Sequence, residues 1–242
     1  MKIISKIKIH PFFYFFAILC ILTGYFKPFI VITFIIIVHE LGHILVSQIF
    51  HYKIDKIVLL PFGGVTIFKE LINRPMKEEF LIAVAGPLFQ TSLFFILKGE
   101  FFYYNLFILL FNLLPIFPLD GSKMINIILN FFFSFQKSHC LSIIVSFLVI
   151  LCFLFKMNFI LLCIVFFLFL KTIKELKEHD FIVNKFLFER YLYSIHFRKL
   201  KKIKGEDVRK MKRDHQHLFY FAHSYHTEYE MLKRMFDKRS FL

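Results

Sequence analysis

Little in this sequence speaks for a secreted domain held by disulfides. Only 4 of the 242 residues are cysteine: Cys20, Cys140, Cys152 and Cys163. None forms CxxC or another metal-binding spacing, and all lie in or beside apolar stretches, so they read as small buried hydrophobes. The first apolar block lacks a small-residue cleavage site and is followed by more blocks, which excludes a lone signal peptide. No internal repeat places polar residues in two matching halves, which disfavours a transporter. Acidic residues are also scarce, 17 against 31 Lys and Arg, for a net charge of +14. That excess does not point to nucleic acid. The basic residues avoid the apolar blocks and gather at the N-terminus, in certain loops and after residue 170. Such a pattern reports orientation in a membrane and attraction to anionic headgroups.

What is abundant is apolar. Hydrophobic residues make up 58% of the chain, with 38 Phe and no Trp. Soluble domains hold about 45–50% by a similar count. The excess lies in long blocks, and about 20 apolar residues cross a bilayer as helix. The expectation is an all-α polytopic membrane protein with about six transmembrane helices, at roughly 11–26, 29–50, 79–97, 101–117, 139–155 and 157–171. Lys-rich loops alternate with poorer ones: Lys53, Lys56, Lys69, Arg74 and Lys77 follow span two, and Lys156 stands alone before span six. By the positive-inside rule both termini are cytoplasmic. Residues 1–171 then form a transmembrane domain and 172–242 a basic cytoplasmic tail. Between spans two and three, short β-branched runs flank Pro61 and Gly63–Gly64. They suggest a membrane-associated β-hairpin, with an irregular surface loop as the alternative.

Span two carries the chemistry. It reads "FIIIVHELGHILVSQIF", with Glu40 between two histidines at lipid depth. A charge there costs at least ~2.5 kcal/mol, so such residues are functional by default. His39-Glu40-Leu41-Gly42-His43 is a HExxH motif. On a helix, positions i and i+4 share one face, so both imidazoles can bind one metal. Zinc suits such ligands and activates water near neutral pH, while the glutamate serves as general base. The bland alternative is two core histidines and a tolerated glutamate; it leaves three polar groups in a lipid-depth helix without a task.

A third ligand is available in "FNLLPIFPLDGSK", residues 111–123, where Asp120 follows two prolines. Pro115 and Pro118 should break the helix and free backbone groups. Asp120 is then expected on irregular backbone at the inner end of span four, at the edge of a cavity. The competing reading is an ordinary Pro-Asp-Gly turn.

These residues resemble the site-2 protease family of intramembrane zinc metalloproteases. The likeness rests on "HELGH" (39–43), "PFGG" (61–64), "AGPLFQ" (85–90) and "NLLPIFPLDG" (112–121). It implies an intramembrane endopeptidase with one Zn2+ per chain, held by His39, His43 and Asp120, and with Glu40 as base. It further implies that Asn112, Pro115, Pro118, Gly63 and Gly64 help position substrate. Gln90 stands where many members carry Asn. The absence of room for a PDZ insertion, the "KIKIHPFF" lead-in and "LFERY" resemble the sporulation subgroup of stage IV FB type. That subgroup implies a membrane-associated substrate, the precursor of a sporulation sigma factor, and membrane regulatory partners. Its members usually end in a nucleotide-binding CBS domain. Here only about 50 residues follow Tyr191, as in a truncated or diverged CBS-like unit, which makes ATP binding doubtful. The alternative function is a general site-2 protease acting on another membrane substrate, such as an anti-sigma factor. A non-proteolytic membrane metal-binding or transport protein is the alternative of a different class. His215, His217, His223 and His226 in the tail lack a metal-site spacing and read as solvated or packed side chains.

Overall fold

The computed structural model describes residues 7–9, 11–60, 63–69, 71–153, 159–193 and 195–239. Pro61 and the turn around Lys156 lie outside these ranges. The chain forms two compact units: residues 1–70 with 80–114, and residues 71–79 with 115–242.

The first unit opens with strand β1 (Ile7–Ile9) and helices α1 (Pro11–Leu22) and α2 (Phe26–Ile49). Pro11 stands at the first helical position, where its missing N–H costs nothing. The hairpin follows: β2 (Ile54–Leu60) pairs antiparallel with β3 (Gly63–Phe68), Ile57 opposite Thr66 and Leu59 opposite Gly64. β1 adds to β2 in parallel, with Ile7 opposite Ile57. The sheet order β1-β2-β3 therefore leaves β3 at an edge. Next come α3 (Met76–Thr91), whose first turn belongs to the second unit, a 3-10 turn at Ser92–Phe95, and α4 (Glu100–Asn112).

The second unit contains α5 (Asp120–Phe132), α6 (Phe135–Phe153) and α7 (Phe159–Tyr193). A small sheet of β4 (Leu200–Lys204), β5 (Gln216–Phe221) and β6 (Ser224–Thr227) precedes α8 (Glu228–Arg239). β4 runs parallel to β5, and β6 antiparallel to it. Phe186, Leu187, Ile203, Met211, Phe219 and Leu232 form the core of this part.

Each of the six apolar segments contains helix. Among the described residues, α2 and α6 are the helices long and apolar enough to cross a bilayer. Several boundaries differ from expectation. The fourth segment stops at Asn112, five residues early, because Pro115 and Pro118 cannot continue a helix. Asp120 does not end a helix; it opens α5, a helix the sequence reading missed. The last helix runs beyond residue 171 to Tyr193, supported by i,i+4 ion pairs Lys174–Glu178 and Lys185–Glu189.

Burial is inverted with respect to a soluble protein. α5 buries Ser122 and Asn130 while Ile128, Phe131 and Phe132 are exposed. α6 buries Ser138, Ser142 and Ser146 at successive four-residue steps and exposes Ile144, Leu148 and Leu151. α2 buries His39, Glu40, His43 and Ser47 while Ile37, Leu41 and Leu45 face out. Exposed apolar area on this scale marks a lipid-facing surface, and small residues at helix contacts suit packing in lipid.

Arg190, at the end of α7, ties the tail together. Its guanidinium donates to Asn73 Oδ1 (2.8 Å), Lys212 O (2.8 Å), His215 O (2.9 Å) and Glu228 Oε1 (3.0 Å). It also lies against the rings of Phe186 and Phe197, 4.8 Å from each centroid. Glu228 Oε2 accepts from the His217 ring at Nδ1 (3.2 Å), while Lys212 N–H donates to His217 Nε2 (3.0 Å). The ring is thus held neutral from both sides. Burial pushes its pKa below the usual histidine value. Burial alone would raise the Glu228 carboxyl, but the His217 hydrogen bond and the Arg190 charge hold it below the usual carboxylate range. Both groups bind protons more readily in the unfolded chain, so their stabilisation is complete above the unfolded histidine pKa of ~6.5 and declines as pH falls. The melting temperature of the purified protein should therefore drop between pH 7 and 5, and His217→Phe should flatten that drop. A variant with an unchanged pH profile would contradict this account.

Candidate metal centre

His39 and His43 lie one turn apart on α2 and both are buried. What each ring holds decides which nitrogen is left over. His43 Nδ1 is 2.7 Å from Ile82 O, a pure acceptor, so Nδ1 carries the proton. His39 Nδ1 is 2.8 Å from Gln90 Oε1 and likewise donates. Each Nε2 then has a lone pair, and the two Nε2 atoms face each other at 3.2 Å. Two lone pairs at that distance repel unless a cation lies between them. Two nitrogen ligands ~2.0–2.1 Å from a tetrahedral zinc ion stand roughly 3.3 Å apart. The pair therefore fits zinc in donor type, protonation and spacing.

Gly86 of α3 lies beside this pair. A Cβ built there would collide with His43 Nε2 and Cε1 and stand 2.8 Å from His39 Nε2. The missing side chain keeps open the space in front of both Nε2 atoms.

Glu40, next along α2, points elsewhere. Its Oε2 accepts a 2.7 Å hydrogen bond from Thr66 Oγ1 on β3. A Cβ on Gly64 would stand 2.5 Å from Glu40 Cδ and 2.6 Å from Oε1, so the hairpin glycine leaves room for this carboxylate. Gly63, by contrast, has open space about its Cβ position. The sheet thus meets α2 at Glu40, and its carboxylate is fixed between a helix and an edge strand.

Asp120 lies in the second unit, buried at the first residue of α5, where the helix dipole favours a carboxylate. Its Oδ1 accepts from Lys123 Nζ at 2.9 Å. The turn leading to it is braced by α6: Ser146 Oγ donates to Pro115 O (3.0 Å), and Phe117 N–H donates to Ser146 Oγ (3.4 Å). Pro118 is exposed, and Asn112 is the half-buried last residue of α4. Thr66 and Gln90 were not singled out as site residues from sequence. Thr66 has no local signal, whereas Gln90 is a buried amide four residues after Gly86.

Comparison with known proteins places the chain in a family. The model of peptidase family M50 matches residues 28–103. Stage IV sporulation protein FB of Bacillus subtilis is 37% identical over 214 residues, spanning 79% of this chain and 73% of that protein. A zinc metalloprotease of Methanocaldococcus jannaschii is 33% identical over 126 residues, 46% of this chain and 36% of that one. Among solved structures, the site-2 protease from Methanocaldococcus jannaschii matches with a TM-score of 0.54 and 28% identity, covering 70% of this chain and 89% of its own. The chain belongs to peptidase family M50, the site-2 proteases. It is a zinc metalloendopeptidase, mostly helical, of a family of integral membrane proteins.

Because the Gly86 Cβ position overlaps the histidine nitrogens, Gly86→Ala should cut bound zinc at least tenfold while helical content stays intact. Metal analysis beside circular dichroism would check this. Full zinc content in the variant would show that the space in front of the nitrogens is not the metal seat.

Proposed function

We propose that this protein is an intramembrane protease that cuts a membrane-associated transcription-factor precursor during sporulation. The observation that carries the reading is the facing Nε2 pair of His39 and His43 with Glu40 buried beside it. The similarity to stage IV sporulation protein FB supports the sporulation setting. Asp120 supplies the third ligand: it is buried, anionic and set at a helix start, as an oxygen ligand to zinc must be. The ion, when bound, supplies Lewis-acid polarisation of the scissile carbonyl and activation of water. Glu40 takes the proton of the attacking water and returns it to the leaving amine. With Oε2 engaged by Thr66, Oε1 is the oxygen assigned to that proton.

A peptide bond within a helix is shielded by its own hydrogen bonds, so the substrate must be extended where it is cut. The β3 edge, with Thr66 bonded to Glu40, suits an extended segment by strand addition. Gly63 and Gly64 let that segment approach closely. Asn112, Pro115 and Pro118 line the irregular stretch before Asp120 and help place it. Six spans with both termini in the cytoplasm, the arrangement favoured by the loop charges, put the site in the cytoplasmic half of the membrane. The scissile bond then lies near the cytoplasmic end of the substrate's membrane segment.

Co-expression with candidate tagged substrates tests this reading. Glu40→Gln should lower cleavage by ~10²–10⁴-fold, the usual contribution of a general acid–base group, while zinc and fold are kept. Near-normal turnover by that variant would remove Glu40 from the mechanism. In the purified protein zinc should be about one per chain, the stoichiometry of a mononuclear catalytic site. Replacing Asp120 and His43 together with Ala should abolish it, and retained zinc would discard this ligand set. Mass spectrometry of the product locates the cut, and a cut on the extracytoplasmic side would refute the topology.

A further inference from the structure

The His39 imidazole begins a polar chain that runs through three helices. Its Nδ1 meets Gln90 Oε1 on α3, and Gln90 Nε2 donates to both Asn105 O and Asn105 Oδ1 on α4, each at 3.0 Å. Gln90 and Asn105 are both fully buried. Gln90 touches the HExxH motif at His39 Nδ1, and Asn105 reaches it through Gln90.

The orientation of each amide is determined by its neighbour. Asn105 offers two oxygens, one backbone and one side-chain, so only the NH2 end of Gln90 can face it. The oxygen end must then face His39, and His39 must carry its proton on Nδ1. A reversed Gln90 would present NH2 to the ring, shift the proton to Nε2 and block the nitrogen that faces His43. The cost of this arrangement is visible at Asn105, whose Nδ2 is buried with no partner among the described residues. His43 needs no such device, because a backbone carbonyl that no side-chain substitution alters holds its Nδ1.

We infer that Gln90 and Asn105 are a positioning pair: Asn105 fixes the Gln90 amide, and Gln90 fixes the His39 tautomer and ring, so that the pair sets zinc affinity. This rests on His39 being a zinc ligand. Hydrogen-bond partners of ligating histidines are worth about 10–100-fold in metal affinity.

The test is a zinc dissociation constant, measured by chelator competition on the full-length protein in detergent. Gln90→Met, close in shape but without an acceptor, should weaken zinc binding 10–100-fold. Gln90→Glu should stay within a few-fold of the wild type. Its carboxyl keeps an oxygen acceptor for His39 Nδ1 in either protonation state. Asn105→Leu should weaken binding, and adding it to Gln90→Met should cost nothing further, since Asn105 acts only through Gln90. Wild-type affinity in Gln90→Met, an equal loss in Gln90→Glu, or additive effects of the two positions would each overturn the proposal. His39→Ala separates this from the ligand reading: retained zinc in that variant refutes His39 as a ligand. Loss in His39→Ala with wild-type binding in Gln90→Met refutes the positioning pair alone. Melting of the zinc-stripped proteins identifies any variant that has not folded, and the Glu variant then decides the matter.

Discussion

Helices α2 and α3 touch where neither has a side chain to hold them apart. A Cβ on Gly42 would stand 2.5 Å from Ala85 O and 2.9 Å from Phe89 Cβ, and one on Gly86 would enter the imidazole pair. From this contact the arrangement of the histidines follows. Ile82, Gly86 and Gln90 recur every four residues along α3, so they share one face. The first holds His43, the second leaves space for the two Nε2 atoms, and the third holds His39. Had α3 stood one methyl group further away, neither Nδ1 hydrogen bond would be made at its present length. The rings would then be free to adopt either tautomer, and the motif would be two histidines without a defined lone pair.

The same contact explains how such polar side chains are tolerated among apolar helices. In hydrocarbon the penalty for an unpaired polar group is several kcal/mol, because no water is available to satisfy it. Here the imidazoles, Glu40 and Gln90 each meet a protein partner, while the apolar residues of the same helices face outward. Serines on α6 meet the same requirement by bonding to backbone carbonyls: Ser142 to His139 O, and Ser146 to Pro115 O. Polar groups are therefore not excluded from this protein. They are gathered where partners exist, which is also where chemistry needs them.

This gathering sets what could be read in advance. HExxH was legible because the four-residue spacing and the apolar setting are both local properties of the chain. The hairpin was legible from β-branched runs about a glycine pair, and a helix break before Asp120 from its prolines. α5 was not. Its sequence, DGSKMINIILNFF, has a strong 3.6-residue pattern, but the polar side is the buried one, and its start was taken for the end of the preceding helix. β1 was missed because three residues of KIKIH gain strand character only by pairing with Ile57–Leu59 across the first helices. Thr66 and Gln90 acquire their roles from neighbours 26 and 51 residues away, a relation that no local pattern encodes. Long-range hydrogen bonds of this kind are seen only once the helices are packed.

The hairpin bears on how a protease of this class can act on a chain within lipid. A substrate leaving its helix gives up backbone hydrogen bonds, and in hydrocarbon each is costly to lose. An edge strand can return them, and among the described residues no strand pairs with β3 on the side away from β2. In this protein that edge is not independent of Glu40. Thr66, in the middle of β3, holds one oxygen of Glu40, and Gly64 on the same strand leaves the space into which Glu40 projects. Displacement of β3 would therefore move Glu40 with it. The registration of strand and carboxylate follows from a single hydrogen bond and a missing methyl group.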